Sequence, residues 1–221
     1  ADELQHVMSG VTLEASAVFK AVVGVHNRVK GSYAVVAIIA GFGLLAFRDP
    51  HGIRPLCLGY RQINDKKEWM VASESVALEG NGFHFERDIA PGEAVIVSSD
   101  GQTYSQLCAQ ETSFTPCIFE YVYLARPDSC IDGVPVYEVR LRMGDYLAEK
   151  ILRELDVAEI DVVMPIPDSS RPAAMQVAKR LGVPYREGFY KNRYVGRTFI
   201  MPGQAVRKKS VRQKLNAMPV E

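Results

Sequence analysis

The sequence predicts a protein of mixed class, α+β in its first part and α/β in its second. Short apolar runs of strand length follow one another up to about residue 115, and turns rich in Gly, Pro, Asp or Asn separate them. Beyond that point a long helical pattern, a continuous apolar run and a second helical pattern follow in order, which is typical of a doubly wound α/β unit. The boundary between the two parts is therefore expected within residues 114–127.

The first part is expected to contain a helix, five strands and a short second helix. Apolar residues recur at helical spacing from Leu13 to Val29, and Thr12 is placed to cap that helix. The stretch "MVASESVAL" adds a short helix after the fourth strand. Because turns join neighbouring strands, a mostly antiparallel sheet is expected. The five strands are predicted at residues 33–39, 44–47, 56–60, 69–72 and 94–98.

The second part is expected to contain two helices with a buried strand between them. Apolar residues lie four positions apart on one face of a helix predicted over residues 137–155. The run "IDVVMPIP", residues 160–167, predicts a parallel strand buried on both faces, since such strands read as continuous apolar runs. Residues 172–181 then predict a helix, and "VPYREGF" is a candidate for the next strand.

The overall composition favours a chain with no membrane partner. The 221 residues include 26 Lys or Arg and 26 Asp or Glu, and 48% are apolar, which is enough for a packed core. The most apolar run, residues 33–47, is shorter than the roughly 18 residues that a membrane span needs. No export signal opens the chain, and the four cysteines lack CxxC pairing. Reduced thiols and a cytoplasmic location are therefore expected, with structural zinc or disulfides as the alternative.

Positive charge is concentrated in one segment. "KNRYVGRTFIMPGQAVRKKSVRQKL", residues 191–215, contains eight Lys or Arg and no acid, whereas residues 1–190 hold 18 cations and 25 acids. A general nucleic-acid binder spreads its cations over a face or a helix, so no nucleic acid is expected as a partner and the attraction should be local. The alternatives are a solvated loop or an amphipathic nucleic-acid arm.

The same segment is expected to form an active-site lid. Gly196, Pro202 and Gly203 would break a helix before Arg207. Cations together with apolar side chains suit a segment that closes over a multiply phosphorylated substrate and is covered only part of the time. The apolar residues interleaved with Arg are Tyr194, Phe199, Ile200 and Met201.

A polar loop in the second part is the strongest candidate for ligand binding. In "MPIPDSSRPAAM", the predicted strand ends and a helix begins at once, with Pro172 in its first turn. Helix N-termini at the carboxyl ends of strands bind anions, so the hydroxyls and amides of Asp168, Ser169 and Ser170 could hold phosphate or pyrophosphate. Asp168 or Ser169 could also contact a hydrated Mg²⁺. The alternative is that Ser170 only caps the helix.

Charged residues also cluster in "AFRDPHGIRPLCLGY", residues 46–60. They suggest either an acid–base cluster or a turn held by an Arg–Asp pair, and the turn is the simpler interpretation. No Ser–His–Asp set and no metal-spaced set of ligands accompanies them. The residues concerned are Arg48, Asp49, His51 and Arg54.

Six stretches, in order, give the sequence a specific resemblance to a known family. They are "AFRDPHGIRPLCLG", "VASESVAL", "APGEAV", "FEYVYLARPDS", "DVVMPIPDSSRPAA" and "KNRYVGRTFIMPGQAVRKKSVRQKLNA". The family that they resemble is glutamine phosphoribosylpyrophosphate amidotransferase, also called amidophosphoribosyltransferase. The resemblance extends over residues 13–217. Parts of the first two stretches would also suit the glutaminase domains of asparagine synthetases, but "EYVYLARPDS" and "KNRYVGRTFI" would not.

The resemblance implies two domains and two coupled reactions. Residues 1–115 would be the C-terminal part of an N-terminal-nucleophile glutaminase domain, an αββα sandwich. Residues 116–221 would be the N-terminal part of a type I phosphoribosyltransferase domain. Ammonia from glutamine would displace pyrophosphate from phosphoribosylpyrophosphate with Mg²⁺, giving 5-phosphoribosylamine in the first committed step of de novo purine synthesis. A homo-oligomer inhibited by purine nucleotides such as AMP or GMP is also implied.

The resemblance further implies roles for individual residues. The basic segment matches the family's flexible loop, in which Tyr194 and Ile200 would line an ammonia channel. Ser169 would be the neighbour of the metal in the pyrophosphate loop. The residues expected to bind substrate are Asp168, Ser170, Lys191, Arg193 and Arg197.

Parts of the family pattern are missing. The family's nucleophile is a cysteine in a Cys-Gly-Ile context, and none of the four cysteines here is followed by Gly. The motif of two Asp and a Thr/Ser-rich loop is also absent, so the chain alone is expected to lack both activities. Cys117 lies at a position resembling one ligand of the iron–sulfur cluster of some members, whose other ligands would lie beyond this chain. The alternative function is that of a non-catalytic nucleotide-binding or regulatory fragment.

Overall fold

A computed structural model of the chain describes residues 13–196 and 202–219. The described residues form two compact units that divide between Val136 and Tyr137. This division lies beyond the boundary predicted at residues 114–127, because the residues that follow the predicted boundary bond to turns and helices that precede it. The assignment of residues 1–115 and 116–221 to two family domains stays a prediction.

The strands predicted for the first unit are all present, with ends shifted by a few residues. The predicted cap Thr12 lies outside the described residues, and the first helix begins later, after Glu14. The helices are α1 (Ala15–Arg28) and α2 (Ser75–Glu79), and one π-helical turn spans Glu120–Leu124. The strands are β1 (Ala34–Ile39), β2 (Gly43–Arg48), β3 (Cys57–Ile63), β4 (Lys66–Ala72), β5 (His84–Asp88), β6 (Glu93–Ser98), β7 (Thr103–Leu107), β8 (Cys130–Ile131) and β9 (Val134–Pro135).

One apolar core of this unit lies between α1 and an antiparallel sheet ordered β1-β2-β6-β7. The helix packs there because its apolar stripe faces the sheet. Each side chain in this core is less than a tenth exposed, and burying one of this size stabilises the fold by about 1.5–3 kcal/mol. The largest members are Val18, Phe19, Val22, Leu45, Phe47 and Ile96.

A second antiparallel sheet, ordered β4-β3-β5, supports α2. The register of β3 against β5 shifts between Leu58 and Gly59. A Cβ at Gly59 would lie 2.7 Å from the carbonyl oxygen of His84 and 2.9 Å from Cδ1 of Leu78. Only glycine therefore allows the helix and the neighbouring strand to come this close.

The turn that joins β2 to β3 is held by Asp49. This residue is fully buried, and its carboxylate accepts hydrogen bonds from three backbone N–H groups of the turn at 3.0–3.1 Å, those of His51, Ile53 and Arg54. The prediction that an Arg–Asp pair holds this turn was wrong about the aspartate. Arg48 pairs with Asp132, which lies 84 residues further along the chain. The acid–base interpretation has no support in this geometry, since Asp49 is occupied by N–H groups.

The second unit contains the two predicted helices and a third. Gly182 ends the second of them in the left-handed conformation, with φ of 71°. Gly144 lets the first two helices approach, since a Cβ there would lie 2.6 Å from the carbonyl oxygen of Ala173. The helices are α3 (Val136–Glu154), α4 (Arg171–Leu181) and α5 (Gln204–Lys214), and the strands are β10 (Phe189–Lys191) and β11 (Leu215–Ala217).

The apolar run at residues 160–167 is not the doubly buried strand that its composition predicts. Its sheet pairing within the described residues is a single parallel bridge between Val163 and Tyr185. Met164 and Ile166 are 41% and 55% exposed. The segment that contains Tyr185 lies along one edge of this run, and a single neighbour cannot cover both of its faces. The candidate strand "VPYREGF" contributes that bridge, and β10 begins only at its last residue, Phe189.

The ends of the basic segment are joined by a short ribbon. β10 and β11 pair antiparallel, with Phe189 opposite Ala217. α5 begins directly after Gly203, so Pro202 and Gly203, two of the residues predicted to break a helix before Arg207, precede it. Arg197 and Ile200 lie outside the described residues.

All four cysteines are free thiols. Burial raises the pKa of Cys57 to about 12 and that of Cys108 to about 11, so both are unreactive near neutral pH. Within residues 13–196 and 202–219, no helix combines the length and the apolar character needed to cross a membrane.

Candidate functional site

The polar loop at residues 166–171 leads from the bridged segment into α4. The peptide bond between Pro167 and Asp168 is cis. Ser170 is the N-cap residue of α4, and its carbonyl accepts a hydrogen bond from Ala174 N–H at 2.9 Å. The Ser170 hydroxyl does not cap the helix, because it donates to the carbonyl of Ile166 at 2.5 Å. The alternative role that the sequence offered for this side chain, capping of the helix, is therefore wrong.

Asp168 is the centre of a charged cluster. Lys191 of β10 forms an ion pair with its Oδ2, and Nη1 of Arg171 lies 3.5 Å from its Oδ1. The hydrogen bond from Lys191, followed by the charges of Lys191, Arg171 and Arg193, holds the pKa of Asp168 below its usual value. The Asp168 side chain is 45% exposed, so a ligand can reach it from solvent.

Two further polar residues, Glu187 and Tyr185, extend this cluster, and neither of them nor Arg171 was predicted from the sequence as a site residue. Nε of Arg171 lies 3.2 Å from Oε1 of Glu187, and Tyr185 donates its hydroxyl to the same oxygen at 2.8 Å. Burial, followed by this hydrogen bond, raises the pKa of Tyr185 to about 12. No local sequence pattern marks Tyr185 or Glu187 as a site residue. The parallel bridge between Val163 and Tyr185 brings both beside the loop. The sequence feature that could have indicated them is the candidate strand "VPYREGF", which contains both residues.

The structure brings part of the predicted site together. Asp168 contacts Lys191 directly, and Ser169 and Ser170 lie in the same loop. Arg193 is close enough to lower the pKa of Asp168. Tyr194 contacts none of them through its side chain and is completely exposed, while its N–H donates to Oδ1 of Asn192 at 3.0 Å.

α5 adds a positively charged surface. It has no buried residue, and its last residue is tied to the start of the basic segment: Lys214 donates to the carbonyl of Gly196 at 3.0 Å and accepts from the N–H of Asn192 at 2.7 Å. In the part of the chain that the structure describes, none of its cations forms an ion pair with a carboxylate, so their charge is available to an anion. These cations are Arg207, Lys208, Lys209, Arg212 and Lys214.

Asp168 and Ser169 fit a partial magnesium site. Mg²⁺ keeps several waters and is usually held by one or two carboxylates together with substrate phosphates, so an exposed carboxylate beside a hydroxyl suits it. Among the described residues, no group of three or more His, Cys, Asp or Glu side chains is arranged to hold a metal ion.

The fold and this loop define a class of protein: an α+β unit followed by an α/β unit, with a polar loop at a helix start of the kind that binds anions. The amidophosphoribosyltransferase of Pseudomonas aeruginosa is 60% identical over 204 residues, which is 92% of this chain and 41% of that protein. No family model matches the chain.

Two solved structures resemble the fold. One, described as the allosteric regulatory enzyme of purine biosynthesis, superimposes with a TM-score of 0.76 at 36% identity, over 97% of this chain and 43% of that one. The other, glutamine phosphoribosylpyrophosphate amidotransferase from B. subtilis complexed with ADP and GMP, gives a TM-score of 0.70 at 34% identity, over 98% and 49%.

The resemblance that the sequence motifs predicted is confirmed. This chain is related over nearly its whole length to the amidophosphoribosyltransferases, and the solved structures confirm the predicted fold class. The chain spans less than half the length of the relatives that it matches, as expected of a portion of such a protein.

Proposed function

We propose that the chain is the part of a glutamine phosphoribosylpyrophosphate amidotransferase that binds the pyrophosphate group of phosphoribosylpyrophosphate. The observation that carries this proposal is the 60% identity with a protein named amidophosphoribosyltransferase. In the proposed reaction, ammonia from glutamine forms a bond to the anomeric carbon as the bond from that carbon to pyrophosphate breaks. The product, 5-phosphoribosylamine, begins purine synthesis. A cytoplasmic homo-oligomer inhibited by purine nucleotides belongs to the same proposal.

The loop residues would exchange partners when pyrophosphate binds. Lys191 is paired with Asp168, and Arg171 lies between Asp168 and Glu187. Pyrophosphate and Asp168 are both anions, so they compete for Lys191. Asp168, once released, would hold hydrated Mg²⁺ together with Ser169. When bound, the metal would neutralise charge on the departing pyrophosphate.

The charge of the basic segment supports this assignment. α5 carries five cations, and Lys191 and Arg193 lie beside the loop. Such a concentration of positive charge attracts a multiply charged anion over about a Debye length, roughly 8 Å at physiological salt. Tyr194, completely exposed here, and Ile200 are proposed to line the ammonia channel once the lid closes.

Calorimetric titration of the chain with inorganic pyrophosphate, with and without Mg²⁺, tests the role of the loop. A charge-assisted hydrogen bond contributes about 1.5–3 kcal/mol, so Lys191→Ala should weaken binding at least about tenfold. Asp168→Asn should tighten metal-free binding, because it removes the competing anion, and should reduce the gain that Mg²⁺ brings. Lys20→Ala is the matched control, an exposed lysine of α1, and should bind as the unsubstituted chain does.

Two outcomes would contradict the proposed roles. One is equal affinity of the Lys191→Ala variant and the unsubstituted chain. The other is weaker metal-free binding by the Asp168→Asn variant, which would mean that Asp168 does not compete with pyrophosphate.

A further inference from the structure

Three sequence motifs meet within the first unit, and the proposed function uses none of them. Two are "AFRDPHGIRPLCLG" and "VASESVAL", which include the turn after β2 and the start of α2. The third, "FEYVYLARPDS", lies in residues 113–136, which we call the connector because they lead into α3. Each motif contributes polar side chains or backbone groups to the contacts between the turn, α2 and the connector.

Arg48 makes the most extensive of these contacts. Its guanidinium is 1% exposed and forms two hydrogen bonds with Asp132 of the connector, at 2.6 and 2.8 Å. Its remaining N–H groups donate to the carbonyls of Gly52, Arg54 and Ile89 at 2.6–2.9 Å. All five donors of the guanidinium are thereby used. If the connector moved away, a buried charge would lose its counter-ion, which is costly.

The start of α2 holds a second part of the connector. Glu74 is the N-cap residue of α2 but makes no cap bond, because Oε2 instead accepts from Arg126 N–H at 2.8 Å and Ser129 Oγ at 2.6 Å. The next residue, Ser75, accepts the N–H of Cys130 with its hydroxyl at 3.0 Å. Two adjacent side chains of α2 and its N-cap thus bind three residues of the connector, Arg126, Ser129 and Cys130.

The turn after β2 holds the beginning of the connector. Arg54 forms an ion pair with Glu120, whose side chain is 8% exposed. The carbonyl of His51 accepts the N–H of Thr115 at 2.9 Å, and Nδ1 of His51 lies 2.7 Å from Oγ of Ser113. Arg54 and His51, two of the charged residues that suggested an acid–base cluster, thus have a structural role in these contacts.

We infer that the first two motifs lock the connector, which carries the third, onto the rest of the first unit, with Glu74, Ser75 and Arg48 as the residues that position it. The connector is then a fixed extension of the first unit and not a flexible linker. Its last bond supports this, since Val136, the first residue of α3, donates its N–H to the carbonyl of Ser129 at 3.0 Å. The inference does not depend on the proposed function.

Hydrogen exchange followed by mass spectrometry tests the lock. Glu74→Ala should accelerate exchange of the amides in residues 120–131 about tenfold or more, because local opening no longer breaks two hydrogen bonds to a carboxylate. Ser75→Ala should act in the same direction and less strongly. Amides of β6 should exchange as before, since they report opening of the core sheet. Glu79→Ala, an exposed acid of the same helix, is the matched control.

Two results would overturn the inference. Unchanged exchange in residues 120–131 of both variants would mean that these side chains do not hold the connector. Equal acceleration in β6 and the connector would mean that they support only global stability. Asp132→Asn offers a second test that keeps the side-chain shape, and it should loosen residues 126–135. Pyrophosphate titration of the Glu74→Ala variant should be unchanged, which keeps this test separate from that of the loop.

Discussion

Each unit contains a carboxylate paired with a cation, and the two pairs differ in exposure. Arg48 and Asp132 in the first unit are 1% and 12% exposed, whereas Lys191 and Asp168 in the second are 28% and 45% exposed. Separating a buried pair leaves charges out of water, whereas an exposed pair is screened and easily exchanged. The first unit therefore uses its ion pair to fix the chain, and the second holds a pair that a charged ligand can replace.

Removing one cation from each unit gives the largest expected difference. Arg48→Met leaves Asp132 unpaired and several buried carbonyls without donors, so the free energy of unfolding should fall by about 3–5 kcal/mol. Arg171→Met should cost less than about 1 kcal/mol, because its ion pairs with Asp168 and Glu187 are partly exposed. Urea unfolding followed by the fluorescence of Trp69, the single tryptophan, reports the first unit, and hydrogen exchange in α3 reports the second.

Arg61→Met is the matched control within the first unit. Arg61 pairs with Glu68 at 2.7 Å, and both side chains are 40% exposed or more. The Arg61→Met substitution should lower the free energy of unfolding by no more than about 1 kcal/mol. Equal losses for Arg48→Met and Arg61→Met would remove the distinction between buried and exposed pairs on which the comparison rests.

Two glycines with similar backbone conformation sharpen the comparison with a smaller effect. Gly52 and Gly182 have φ of 60° and 71°, so alanine at either should cost about 1–2 kcal/mol of backbone strain. At Gly52 a Cβ would also lie 2.8 Å from Cγ of Pro91 and 3.4 Å from the guanidinium of Arg48, while no atom lies within 4 Å at Gly182. Crowding should therefore add about 1–3 kcal/mol at Gly52 alone.

The free energy of unfolding is measured by Trp69 fluorescence for the Gly52→Ala variant. For the Gly182→Ala variant it is measured by hydrogen exchange of the amides of α4, the helix that Gly182 ends. If Gly52→Ala costs no more than Gly182→Ala, the turn after β2 can relax. The packing of Arg48 against that turn would then be looser than its two hydrogen bonds to the carbonyls of Gly52 and Arg54 indicate.

The sequence predicted most elements whose residues are strongly patterned. The apolar runs that became β1, β2, β3, β4 and β6 were found, and so were the helices with apolar residues on one face. β5 and β7 were missed because "HFERD" and "TYSQL" are largely exposed and polar, so burial did not select an apolar pattern. The run at residues 160–167 was misread for the opposite reason, since its apolar side chains are not covered by two neighbours.

The candidate site was predicted by local position, and its partners were not. Asp168, Ser169 and Ser170 follow from their place between an apolar run and a helix. The pairing of Arg48 with Asp132 joins residues 84 positions apart, and no local pattern encodes it. Long-range pairing depends on how the elements pack, which a single sequence leaves open.

The dependence of stability on pH should have opposite sign at two aspartates, and this is the smallest expected effect. In the first unit, burial and then the charge of Asp132 raise the pKa of Asp88. Its folded form binds a proton more readily than its unfolded form, so its contribution to stability falls as pH rises from about 3.9, the unfolded pKa, through the raised value. In the second unit, the lowered pKa of Asp168 means that its contribution is present above about 3.9 and is lost as pH falls through the lowered value.

Asparagine at each position removes these contributions. As pH rises from about 3 to about 7, Asp88→Asn should gain stability relative to the unsubstituted chain, and Asp168→Asn should lose it. The loss at Asp168 should stay below about 1 kcal/mol, because solvent screens a carboxylate that is 45% exposed. Unfolding midpoints from circular dichroism at matched pH values would measure both. No loss for Asp168→Asn would mean that the Asp168–Lys191 pair is not formed in solution, and that the second unit presents free Lys191 to its ligand. No gain for Asp88→Asn would mean that folding does not raise the pKa of Asp88.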